Sequence, residues 1–381
     1  MDYKFVHFGC WNNLNKENNV ERVVQKINKK SRRKLDFLVV AGDNYYPNKL
    51  VTESKKVKII NKENLLRGFK ILPKDVEINM ILGNHDLETN VSQSEPDLFI
   101  EDTTNPEKDC FILETEKEEA KENEKINFKI WDKKVLGSTL LLMIDTSMYT
   151  DDKDVDDYMP CYRKHFDVTL TKEALLSEQQ KFIVNSIAKH PSIITDLIII
   201  GHHPIIAVKS KAPKKKKDKE SKKSTTEENK LHVLNDIPNF RTVLKDIKDA
   251  VDTKNKDTIT NTSYHYLCAD LHLYQEGVVT IDGMEINQYI VGTGGAELDD
   301  EIPDDWMKHH EKNGVTYDIK KNQRNFGYLE CENKSSKWNF KFVSVEDQET
   351  PETKTVDEGS RKSKSKPKRK RNTKKNNSSK N

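Results

Sequence analysis

The sequence lacks the cysteine spacing of a disulfide framework. Its 381 residues include five cysteines, Cys10, Cys110, Cys161, Cys268 and Cys331, an odd number at wide intervals with no Cys-x-x-Cys. That pattern argues against a stapled secreted domain and a structural zinc site, and it predicts a reducing compartment. A long apolar run is also missing: nothing approaches the roughly 20 residues needed to span a bilayer. Met1-Asp2-Tyr3-Lys4 leads straight into a strand-like segment without the apolar region of a signal peptide. The expectation is a soluble, intracellular, cytoplasmic protein with no membrane partner. Net charge of one sign is missing too. The formal sum is +2, so bulk charge selects no class of partner. Hydrophobic residues make up only 34% and charged residues another 34%. Spread evenly, such a composition would predict disorder. Here the apolar residues sit in runs, at 37–41, 78–82, 140–144 and 197–200, which predicts a real core diluted by charged segments.

The runs order the chain. Residues 3–8 read as a strand and 18–30 as a helix with Val20, Val23, Val24 and Ile27 on one face. Residues 37–41 and 77–82 read as buried parallel strands, with a helix at 63–72 between them. Residues 93–124 read as an acidic, loop-like insertion. The segments 127–130 and 138–144 are expected to pair around 132–137. A helix over 177–190 is predicted to start from a Ser177/Gln180 capping box, and a strand follows at 197–200. The Lys-rich stretch 209–230 reads as a disordered insertion. Residues 231–251 look largely helical, with Pro238 setting a start or a kink. From 263 to 345 the chain is mostly strands of antiparallel type. The predicted architecture is α/β (α+β): two mixed sheets packed face to face, flanked by helices, in one domain over 1–345. Residues 346–381 are expected to form a disordered basic tail.

Polar residues follow the buried strands. Gly9-Cys10-Trp11-Asn12 follows the first, Gly42-Asp43-Asn44-Tyr45-Tyr46-Pro47 the second and Gly83-Asn84-His85-Asp86 the third. Gly201-His202-His203-Pro204 and Ala269-Asp270-Leu271-His272 follow later strands. Asp and Asn after strands also serve as turn formers. Their recurrence in this order points to chemistry, because ligands gather at the carboxyl ends of strands in open α/β sheets. Carboxylate, amide, phenol, thiol and imidazole are all competent metal donors. Tyr45 offers the same phenol as Tyr46, one residue earlier.

These motifs resemble the calcineurin-like metallophosphoesterase superfamily, and within it the purple acid phosphatase branch. Residues 42–47 are similar to GDxxY, residues 83–86 to GNH[DE], and Ile199-Ile200-Gly201-His202 to VxxH. The resemblance covers about residues 4–345 apart from the charged insertions. It implies a four-layer fold and a phosphomonoesterase using two metal ions (Fe, Zn or Mn) and a metal-bound hydroxide. By the same resemblance Asp43 would bridge the metals, Tyr46 and His272 would bind the first, and Asn84 and His202 the second. His85 would not ligate but would protonate the leaving group of a phosphate-ester substrate.

Two positions depart from the family pattern. Cys10 stands where the first motif has a metal-binding Asp, and Asp270 stands where the last motif has a second-metal His. Both types can bind metal. The alternative function is a degenerate phosphoesterase fold that binds phosphate or protein without turnover. A weaker alternative is a phosphodiesterase or nuclease aided by the basic segments. Residues 364–371 form a patch of nuclear-targeting or nucleic-acid-contacting type, with weak contact expected.

Overall fold

The computed structural model describes residues 2–14, 19–31, 35–46, 48–51, 56–87, 91–95, 98–101, 110–166, 171–210, 230–234, 237–258 and 261–346. The tail 346–381 from Asp347 onward, the nuclear-type patch within it, and residues 211–229 of the Lys-rich insertion lie outside them. The compact unit treated below runs Met1–Asp347.

Two large sheets form the body, one of six strands and one of eight. In the first, Tyr3–Phe8 lies parallel to Phe37–Ala41, which lies parallel to Glu77–Ile81. Gly327–Lys334 flanks Tyr3–Phe8 on the other side, antiparallel, bringing the far end of the chain beside its start. In the second sheet, Thr139–Met143, Asp196–Ile200, Ser263–Cys268 and Met284–Val291 run parallel in that order. Tyr274–Ile281 and Val315–Gln323 extend that sheet with antiparallel strands.

The two-residue period of a strand sorts side chains between layers. Phe5, Phe37, Val39 and Ala41 of the first sheet meet Leu141, Met143, Ile198, Ile200 and Leu267 of the second in one buried cluster. Val6, Phe8, Leu38 and Val40 point the other way, onto Val20, Val23, Val24 and Ile27 of the helix Asn19–Ser31. The outer face of the second sheet packs Leu140, Leu142, Leu197 and Ile199 on Ile183, Ile187, Phe240 and Ile247 of the helices Lys172–Ala188 and Ile237–Lys254. The result is four layers, helix–sheet–sheet–helix, as the sequence predicts. Pro238 falls in the first turn of its helix, where its missing N–H costs nothing.

Several local expectations are corrected. Within 93–124, Phe111–Glu122 is a helix, because Ile112, Leu113, Thr115 and Glu116 form a buried face among otherwise charged residues. Residues 126–128 pair with Glu77–Ile81 in the first sheet, while Asp132–Leu136 and Thr139–Met143 form the hairpin around Gly137. The helix expected from Ser177 starts at Lys172, capped by the Thr171 hydroxyl on the Ala174 N–H, and Gln180 bonds Asp246 of the neighbouring helix instead. Lys230–Val233 is a strand paired with Ile206–Lys209, not helix. Ser263–Cys268 is parallel to both neighbours, not antiparallel.

The cysteine reading is also corrected. Cys110 and Cys161 form a disulfide, with Cα atoms 5.5 Å apart. They are 51 residues apart in sequence and are brought together by the packing of two helices, so spacing gave no signal. The cysteine argument for a reducing compartment therefore falls away. Cys10, Cys268 and Cys331 are free and buried.

Candidate metal centre

The parallel strands of both sheets deliver their carboxyl ends to one place. Backbone bonds stitch these ends together: Cys10 N–H to Gly42 O at 3.1 Å, Ala296 N–H to Cys10 O at 3.0 Å and Ala269 N–H to His202 O at 2.8 Å. Glycine is required where the loops touch. A Cβ on Gly42, at φ +79°, would lie 2.5 Å from the Gly83 nitrogen, and one on Gly83 would lie 2.2 Å from the Asp43 nitrogen. Cys10, Asp43 and Asp270 themselves adopt left-handed backbone, at φ 50°, 52° and 56°. For non-glycine residues this costs about 1–2 kcal/mol each, and such strain gathers at functional sites.

The side chains converge. Asp43, 1% exposed, is the hub. Its Oδ2 lies 2.6 Å from the Tyr46 hydroxyl and 3.8 Å from Cys10 Sγ. Its Oδ1 accepts the His85 N–H at 3.1 Å and lies 3.2 Å from His202 Nε2. Nε2 of His202 is also 3.2 Å from Asn84 Oδ1 and 4.0 Å from Asp270 Oδ1. Tyr46 reaches His272 Nε2 at 3.0 Å. Tyr45 belongs to the outer core of the first sheet, which leaves Tyr46 as the phenol at the centre. All eight residues singled out in the sequence, His85 included, thus sit in or beside one cluster. Cys10, Asp43 and His272 form one group of donors, and His202, His203 and Asp270 another.

The proton count of this cluster suits the binding of a cation. His202 Nδ1 faces the Ala41 carbonyl at 2.7 Å, and a carbonyl only accepts, so Nδ1 carries the proton and Nε2 is a lone pair. That lone pair then confronts the oxygens of Asp43 and Asn84. Likewise His272 Nδ1 donates to Glu297 O at 2.7 Å, leaving Nε2 and Asp43 Oδ2 to compete for the single Tyr46 proton. Acceptors facing acceptors are stable only with added positive charge between them. Without metal, His202 must supply it. Burial opposes its charge most strongly, but the facing Asp43 carboxylate, Asp270 and the Ala41 carbonyl together push His202 up to about 9. Asp43, despite its burial, is held well below the usual carboxylate range by His202 and then His85. Burial, then Asp43, pushes the Cys10 thiol and the Tyr46 phenol up. The donor set, carboxylates, amide oxygen, imidazoles, phenol and thiol, is one that holds Zn, Fe or Mn.

Other residues hold the donors, and two of them, Thr146 and Asp299, lie outside the motifs read in the sequence. Thr146 Oγ1 accepts the N–H groups of His202 and His203 at 3.0 and 2.9 Å. It follows the fully buried strand Thr139–Met143, so the pattern that marked the other motifs applied here too. Its hydroxyl faces His203 Nδ1 at 3.1 Å, and burial takes His203 down to about 4. Asp86 clamps two motifs: it accepts Gly83 N–H at 2.7 Å, Asn44 N–H at 2.7 Å and the Asn44 amide at 2.9 Å. Asp299 accepts the His272 N–H at 2.9 Å. Asn12 points away from the centre and donates to Asn44 O and Leu65 O.

Residues 3–233 match the family profile of calcineurin-like phosphoesterases. The chain belongs to that family. Cys10, Asp43, Tyr46, Asn84, His85 and His202 lie inside the matched region, while Asp270 and His272 lie beyond it. A search of curated protein sequences gives no match. Among solved structures the chain is similar to GAP50, described as the anchor in the inner membrane complex of Plasmodium, at 10% identity and a TM-score of 0.47 over 91% of this chain and 85% of that one. It is also similar to the purple acid phosphatase PPD1 from yellow lupin (Lupinus luteus) seeds, at 12% identity and a TM-score of 0.47 over 91% of this chain. The chain spans 52% of the lupin enzyme's length.

Proposed function

We propose that this protein is a metal-dependent phosphohydrolase acting on phosphate monoesters at a two-metal centre. The observation that carries the reading is the shortage of protons in a buried cluster whose two imidazoles are each fixed, by Ala41 O and Glu297 O, with Nε2 free to ligate. Cys10, Asp43, Tyr46 and His272 would hold one ion; Asp43, Asn84, His202 and Asp270 would hold the other. Bound there, metal ions supply Lewis acidity toward a phosphate and bring the acidity of water near neutrality. The chain supplies the rest. Asp43 directs one oxygen to each half of the cluster. His85, half-buried, has its backbone pinned by Asp43 and its ring 4.8 Å from the Tyr46 ring. In this reading the imidazole gives a proton to a departing alkoxide, a role that needs no ligation.

A second reading has support in Cys10 and Asp270: with two donors exchanged, the fold would bind a phosphate group or protein partner without turnover. Metal content and hydrolysis of an aryl phosphate, measured for wild type and Asp43→Ala purified without chelator, decide between them. Two metals per chain, with turnover that Asp43→Ala loses, support the enzyme. One metal or none, with no turnover across several divalent ions, sinks it in favour of the binding module.

A further inference from the structure

The two halves of the cluster differ in donor chemistry. One half gathers the sulfur of Cys10, an oxygen of Asp43 and a nitrogen of His272, with these donors within 4.8 Å of one another and the Tyr46 oxygen beside them. The other half gathers oxygens from Asp43, Asn84 and Asp270 around His202 Nε2. Cys10 is not a generic buried thiol. Its backbone is fixed on both sides by Gly42 O and Ala296 N, it holds a left-handed conformation, and its Sγ lies 3.8 Å from the Asp43 carboxylate. Around a tetrahedral zinc, with Zn–S about 2.3 Å and Zn–O about 2.0–2.2 Å, sulfur and oxygen ligands stand about 3.5 Å apart. The observed spacing is close to that of two ligands of one ion. Glycine at 292 leaves the sulfur its space, since a Cβ there would lie 3.2 Å from it.

We propose that the centre sorts two different cations: the Cys10–Asp43–Tyr46–His272 pocket takes a thiophilic divalent ion of the zinc class through a Cys10 thiolate, and the Asp43–Asn84–His202–Asp270 pocket takes a harder ion such as manganese. Soft sulfur selects the first, and a mostly oxygen shell suits the second. Four protein donors complete a tetrahedral shell around a zinc-class ion, whereas four leave positions open around an octahedral ion of the manganese class. The first ion is therefore held for structure and charge, and the open position for water or phosphate belongs to the second. The side of the centre bearing half-exposed Asp270 is the side a substrate can reach, since Asp270 is 38% exposed while Cys10 is fully buried. This inference rests on the two-metal reading above, and its test separates the two.

The experiment is titration of chelator-stripped full-length protein with cobalt(II), followed by absorbance. The first equivalent is expected to produce and saturate a near-ultraviolet thiolate-to-cobalt charge-transfer band. Cys10→Ser is expected to lose the band and to keep uptake of one equivalent in the other pocket. Cys10→Asp, which restores an oxygen donor, is expected to bind two equivalents without the band. Two equivalents bound by wild type with no charge-transfer band, or a band that persists in Cys10→Ser, overturn the thiolate assignment. Aryl phosphate turnover by that same band-free protein would leave the phosphohydrolase reading standing. A band that grows only with the second equivalent overturns the sorting. No cobalt bound at all overturns both this inference and the two-metal reading.

Discussion

His7 on the first sheet donates its Nε2–H to the Cys268 carbonyl on the second, 3.1 Å away, on the strand that leads to Cys10. Nδ1 of the same ring is buried with no hydrogen-bond partner. Only neutral imidazole suits this place. Burial takes His7 down from 6.5 to about 4, the Cys268 bond opposing weakly. The unfolded chain therefore takes up a proton as pH drops past 6.5, and the folded chain does so only near 4. Stability is whole above that upper value and falls through the window between the two. At about 1.4 kcal/mol per pH unit the loss reaches about 3 kcal/mol. His7→Leu, though less stable near neutrality for want of the Cys268 bond, is expected to show a flatter decline. Urea midpoints from about pH 7 to about pH 4 test this; parallel curves for the two proteins would remove His7 as the cause.

The side chain of His85 is predicted to act in turnover and not in metal retention. Its backbone N–H, not its ring, bonds Asp43. His85→Ala is expected to keep wild-type metal content while aryl phosphate turnover falls by about 10² to 10⁴, the usual range for a lost proton donor. Loss of metal alongside activity would make His85 a structural support of the centre.

The Cys110–Cys161 bond closes a loop of 51 residues behind the Gly83–Asp86 motif, with Cys161 Sγ also 3.7 Å from the Leu87 carbonyl. Chain-entropy reasoning gives such a crosslink about 4 kcal/mol. Reductant, or Cys161→Ser, is expected to lower unfolding stability by about 2–4 kcal/mol. A denaturation midpoint indifferent to reductant, together with two alkylatable thiols at these positions in the native protein, would show the pair unbonded.

Glu116, on the helix Phe111–Glu122, is fully buried, and neither oxygen meets a hydrogen-bond donor. Its neighbour is the Asp86 carboxyl, so the pair is stable only with a proton between them. Burial, then Asp86, pushes Glu116 well above the carboxylate range, and burial, then Asp43, pushes Asp86 up to about 7. A folded state that keeps a proton the unfolded chain releases loses stability as pH rises. Glu116→Gln supplies a permanent donor to Asp86. It is expected to be more stable than wild type above neutral pH, by about 1–3 kcal/mol, and to converge with it in acid. A destabilised Glu116→Gln at every pH would contradict the shared proton.

Much of the centre was legible because its residues follow buried strands directly. Asp43, Asn84, His85 and His202 each stand within four residues of a strand end, where apolar runs and glycines mark the boundary. The strands themselves were legible for the same reason: five fully buried residues in a row, as in Phe37–Ala41, read as a central strand without any knowledge of neighbours.

What the sequence determined by itself was local: which segments are apolar, where they stop, and which donor atoms follow each stop. Only the tertiary structure decided what those donors meet. It placed Tyr46 rather than Tyr45 at the centre, because alternate residues of one loop face opposite sides of a sheet. It set Cys10 beside Asp43, paired Cys110 with Cys161, and turned a charged stretch into a helix whose buried Glu116 backs Asp86. Each of these depends on sheet order and helix packing across tens to hundreds of residues. Such contacts are fixed by the burial of surfaces from distant parts of the chain, and local periodicity carries no record of them.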